Sequence, residues 1–136
     1  MLVCGCINPP PICDPDYEGV YFSLKDDMPS QAATMKGTPL LVEHSTKQVG
    51  SVLSAWTANN GSMYALAEID DKSPGGAVAA EYVRQGGLRQ FSMGYTQIMM
   101  KCKNTGRFKP VKKNIREVSL VKQGARPGCL IAQIEK

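Results

Sequence analysis

The chain has 136 residues with 43% apolar content and mixed charges, which suits one domain with its own core and excludes a disordered polymer. Its net charge of +4 is too mild to imply nucleic-acid binding, and no apolar run is long enough to cross a bilayer. The 5 cysteines are irregularly spaced with no CxxC pair, and there is a single histidine, so neither a paired-cysteine zinc site nor a multi-histidine metal centre fits.

The start of the chain, MLVCGCINPPPICD, lacks the basic region and long apolar stretch of a signal peptide, and the thiols are expected to be reduced in an intracellular protein. LVCGCI reads as a first strand, NPPPICDPD as a rigid loop and GVYFSL as a second strand. DMPSQAATMKG predicts a short helix, with Asp27 as its cap, Met28, Ala32 and Met35 on one face, and Gly37 at its end. Residues 39–44 and 48–57 are strand-like, and the NNG at 59–61 marks a hairpin that returns through SMYALAEID.

KSPGGAVAAEYVRQGG is the best helix signal. Ser73 caps it, Pro74 suits the first helical position, Val78 and Tyr82 share a face, and Gly86 and Gly87 end it. LRQFSMGYTQIMM, NIREVSLVKQ and CLIAQIE follow as strands. About seven or eight short strands with two helices, mostly in hairpin succession, predict a mainly β, barrel-like fold over a single domain, residues 1–136. The late lysines in MMKCKNTGRFKPVKKNIR read as a solvated hairpin, since no aromatics alternate with them.

Three short stretches carry candidate chemistry. His44, the sole imidazole, ends an apolar strand before a polar turn. In the strand QFSMGYT, Phe91, Met93 and Tyr95 fall on one face and Ser92, Gly94 and Thr96 on the other, so Ser92 lies on a side cleared of bulk. The GxSxG of a nucleophile elbow is absent, because Gln90 stands two residues before Ser92 and a strand follows it. In REVSLV, Val118 and Leu120 face the core while Glu117 and Ser119 point away, and the GARPG that follows offers backbone donors and the Arg126 guanidinium. Each stretch alone also reads as ordinary structure: a strand serine, or a hairpin turn with a surface arginine. Together they supply a hydroxyl, a base and an acid, the set a serine nucleophile needs if their strands are neighbours.

The same stretches resemble a known family. LLVEHSTKQVGSVLSA is similar to the segment around the first catalytic histidine of the herpesvirus assemblins, the capsid maturation proteases. GGLRQFSMGY resembles their nucleophile segment, and EVSLVKQGARPGCLI their His-Val-Ser-Leu stretch with its Gly-Arg-Arg turn. The prohead proteases of tailed phages share the order of His, Ser and a Val-Ser-Leu strand. The resemblance runs from about residue 37 to 131.

The resemblance implies an assemblin-like β-barrel and a serine endopeptidase that cleaves an internal scaffolding protein, and its own precursor, in an assembling viral procapsid. Ser92 matches the nucleophile, His44 the general base and Glu117 the third member; Ala125 and Arg126 match the two residues of the oxyanion loop. Assemblins usually carry a second histidine at the third position, so the triad here would be Ser-His-Glu. Gly94 stands where they often carry a second serine. The resemblance implies neither metal nor cofactor. The implied partners are the scaffolding protein, capsid shell proteins and a further copy of the chain. A non-catalytic capsid component with the same fold and a small basic binding barrel are the rival readings.

Overall fold

The computed structural model describes residues 1–8, 28–101, 108–124 and 129–134. GVYFSL, the Asp27 cap, Cys13, Cys102, Ala125 and Arg126 lie outside the described residues. In chain order the elements are β1 (Leu2–Asn8), α1 (Met28–Ala33), β2 (Pro39–Val42), β3 (Gln48–Thr57), β4 (Met63–Ile69), α2 (Pro74–Arg84), β5 (Gln90–Lys101), β6 (Phe108–Val121) and β7 (Ile131–Ile134).

These strands form one 7-stranded sheet in the order β5-β6-β2-β3-β4-β1-β7. Every neighbouring pair is antiparallel except β2 and β6, which run parallel. The two ends of that order meet. Gln90 bridges Leu130, the Phe91 N–H donates to the Cys129 carbonyl at 2.8 Å, and the Ile131 N–H donates to the Arg89 carbonyl at 3.0 Å. The sheet therefore curls on itself, in line with the barrel-like, mainly β expectation, and joining the edges satisfies backbone groups that an open edge would leave unpaired.

The core forms where the strand alternation points inward. β4 alternates buried and half-buried residues along its whole length, and Val3, Ile7, Leu40, Val52, Phe91 and Leu120 join Met63 and Ile69 in one continuous cluster. Burying each such side chain contributes about 1.5–3 kcal/mol. The expected hairpin is present at Asn59–Asn60–Gly61, where Gly61 takes a φ of 87° and Asn60 Oδ1 accepts from the Ser62 N–H at 3.0 Å.

α2 begins as its sequence requires: Ser73 Oγ accepts from the Gly76 N–H at 3.1 Å, with Pro74 behind it. The face shared by Val78 and Tyr82 is exposed, at 55% and 53%. Small residues, Gly76, Ala79 and Ala80, face the sheet instead and let the helix lie close to it. In the predicted first helix, Ala32 and Met35 are buried as the shared face requires, but the helical hydrogen-bonding ends at Ala33, four residues before Gly37. Among the described residues no helix is long and apolar enough to cross a membrane.

Candidate active site

β6 sits between the strands that carry the other two candidate residues. On one side Ser92 of β5 pairs with Ser119 and Gly94 pairs with Glu117. On the other side Leu40, Leu41 and Val42 of β2 pair with Val118, Ser119 and Leu120, and His44 follows two residues later. The strand period puts Glu117 and Ser119 on one face and Val118 and Leu120 on the other. Val118 and Leu120 are fully buried in the core, as read from the sequence.

His44, Ser92 and Glu117, distant in sequence, meet on the outer face. His44 Nδ1 lies 2.5 Å from Glu117 Oε1, and His44 Nε2 lies 2.9 Å from Ser92 Oγ. A carboxylate can only accept, so the imidazole proton belongs on Nδ1 and Nε2 is left with a lone pair aimed at the Ser92 hydroxyl. This tautomer can take a proton from serine. The His44 side chain is 43% exposed and that of Glu117 is 14% exposed, so the imidazole edge is open to an arriving chain while the carboxylate is sheltered.

The strand expected to reach His44 stops at Val42. Glu43 and His44 both adopt the left-handed conformation, with φ of 50° and 54°. Each such non-glycine residue costs on the order of 1–3 kcal/mol and persists only where its surroundings fix it. They do so here. The Glu43 N–H donates to the Leu120 carbonyl and the His44 N–H donates to Ser119 Oγ, each at 3.0 Å, and Glu43 Oε1 accepts from the Lys122 N–H at 2.8 Å. The turn tips the imidazole back across β6 toward β5, a path that a straight strand would not give it.

Glu117 is held from two directions. Ser119, with no exposed surface, donates its hydroxyl proton to Glu117 Oε2 at 2.7 Å. On the other side Gly94 leaves open the volume the carboxylate fills, since a Cβ at that position would overlap it. From the sequence, Gly94 stood for a face cleared of bulk and an absent hydroxyl, and Ser119 for a side chain turned from the core. The available signal was their registry with Glu117: Ser119 lies two residues from it along one strand, and a glycine beside an acid on adjoining strands makes room for it.

Ala125 and Arg126 lie outside the described residues, but both flanks of their segment are tied to the strand of Ser92. The Gly124 N–H donates to Gln90 Oε1 at 2.6 Å, and the Cys129 carbonyl accepts from the Phe91 N–H. Cys6 and Cys129 are buried, and a hydrogen bond with Cys129 holds the Cys6 thiol below its ordinary pKa against the opposing effect of burial. Among the described residues, Glu117 and Ser92, not a cysteine, engage the two His44 ring nitrogens. Among the described residues no group of three metal-binding side chains gathers.

No family model matches the chain, and no curated protein matches it in sequence. Solved structures match it in fold. The protease of Kaposi's sarcoma-associated herpesvirus in complex with a hexapeptide phosphonate inhibitor superposes with a TM-score of 0.62 at 17% identity, over 96% of this chain and 63% of the protease chain. The same virus's protease bound to a dimer disruptor gives a TM-score of 0.56 at 18% identity, over 96% of this chain and 74% of that one. Its complex with an allosteric inhibitor gives 0.56 and 18%, over 96% and 76%. The fold is therefore that of the herpesvirus proteases, and the chain spans less than two thirds of the first of them.

Proposed function

We propose that this chain is a viral capsid maturation serine protease, of the herpesvirus assemblin or tailed-phage prohead kind. Its substrate is the internal scaffolding protein, together with its own precursor, inside an assembling procapsid. The observation that carries this reading is the hydrogen-bonded series from Ser92 through His44 to Glu117 on a herpesvirus-protease fold.

In the proposed reaction Ser92 Oγ attacks the scissile carbonyl while His44 Nε2 takes its proton. The Glu117 carboxylate keeps the ring in its productive tautomer and stabilises the imidazolium that forms. The imidazolium then gives its proton to the leaving amine, and an ester remains on Ser92. Water, deprotonated by His44, hydrolyses that ester; the acid product departs and the proton returns to Ser92. The negative oxygen of each tetrahedral intermediate is assigned to the Ala125 amide and Arg126. The anchoring of residues 124 and 129 to Gln90 and Phe91, just before the nucleophile, supports that assignment. Capsid shell proteins and a second copy of the chain are the proposed partners.

The test is incubation of the purified chain with its cognate scaffold, mass mapping of the fragments, and labelling with a fluorophosphonate probe. Discrete cleavage with the label on Ser92 supports the reading. An intact scaffold and an unlabelled Ser92 would leave a non-catalytic shell component with this fold.

A further inference from the structure

Resting on the reading of Ser92, His44 and Glu117 as the reacting group, we propose that Ser119 is a positioning residue that locks the imidazole and the carboxylate into one unit. Its hydroxyl has two tasks. It accepts from the His44 backbone N–H at 3.0 Å, and it donates to Glu117 Oε2 at 2.7 Å. One oxygen thus ties the main chain of the base to the side chain of the acid, while the ring itself closes the loop through Nδ1 and Oε1.

Ser119 suits this position for three reasons. It occupies β6 directly opposite Ser92 on β5 and Leu41 on β2, so it stands in the same row as the nucleophile. It is fully buried, so water does not replace the hydroxyl at low cost, and its two bonds satisfy groups that would otherwise lie unpaired. The residue it anchors just beyond β2, His44, is in a left-handed conformation that an unassisted backbone would leave. Both requirements meet at Oγ, which must be acceptor and donor at once; a hydroxyl does this and a methyl does not.

The experiment compares Ser119→Ala and Ser119→Cys with wild type, in the native and the Glu117→Gln backgrounds. It measures kcat and KM on scaffold peptide, and the Nδ1 proton resonance of His44, which is unambiguous because the chain has a single histidine. Ser119→Ala is expected to lower kcat about ten- to a hundredfold with KM unchanged. It should also displace the Nδ1 proton resonance, and cost less than about threefold once Glu117 is already glutamine. Ser119→Cys, close in volume and a weaker hydrogen-bonding group, should fall between wild type and alanine even if the alanine variant does not fold.

An unmoved resonance with kcat near wild type, an equal loss in both backgrounds, or a fully active cysteine variant would each overturn the proposal. The resonance is also read in Ser92→Ala. If Ser92 proves irrelevant to cleavage, the protease reading falls, while the resonance still decides whether Ser119 holds the His44–Glu117 pair.

Discussion

On the β3–β4–β1 side of the barrel, β4 buries every second residue along its length, and α2 rests its glycine and alanines on the sheet. On the β2–β6–β5 side, the same sheet carries a buried serine, a sheltered carboxylate, and two left-handed residues in succession. The first region draws its stability from apolar burial, which is indifferent to which polar groups lie outside it. The second spends stability on backbone strain and a buried polar network to hold three side chains in one geometry. Damage to the first should lower the amount of folded protein and spare the chemistry of each folded molecule. Damage to the second should do the reverse.

The sharpest test of that contrast is Ser92→Ala. Cleavage should fall by roughly four orders of magnitude or more, while urea unfolding should stay within about 0.5 kcal/mol of wild type, because the removed hydroxyl packs against nothing in the core. A marked loss of stability in that variant would mean that the two regions are not separable.

Glu117→Gln should follow, lowering kcat about a thousandfold by offering His44 an amide in place of a carboxylate. Circular dichroism should find it folded. A rate within a fewfold of wild type would assign the orientation of His44 to another group.

Ile69→Ala, in the apolar region, should cost about 2–5 kcal/mol by leaving a cavity at a residue that is 1% exposed. The rate per labelled Ser92 should be unchanged, as titration with a fluorophosphonate would report.

Gly94→Ala should act on the chemistry more mildly than Glu117→Gln, with a loss of about ten- to a hundredfold in kcat and little change in KM, because the new Cβ pushes the Glu117 carboxylate from its place. If the rate is unaffected, the carboxylate has room to shift without losing His44.

Much of the fold was legible because its signals are local. The β3–β4 hairpin follows from Asn-Gly chemistry, α2 from a Ser-Pro start, and the facing of Val118 and Leu120 from a period of two. The outward face of Val78 and Tyr82 was less legible, because periodicity pairs residues on a face without saying which face meets the sheet. The end of β2 was misplaced by two residues because the turn at Glu43 and His44 uses left-handed non-glycine backbone, which no composition announces. Ser119 looked like any outward strand serine. Its role as a junction depends on β2 lying parallel to β6, a long-range pairing with no trace in the local sequence.

By itself the sequence determined the element types of the described segments, the core-facing sides of β5 and β6, and a short set of residues able to act as nucleophile, base and acid. These depend on neighbours within a few positions, where sterics and side-chain alternation operate. Only the tertiary structure decided that β6 lies between β5 and β2, that the sheet closes beside Ser92, and that His44 turns back over Ser119 to reach both Glu117 and Ser92. Those facts rest on strand pairings between residues dozens of positions apart. Such pairings are chosen by the burial of the whole apolar set and the satisfaction of the whole backbone at once, so no single segment contains them.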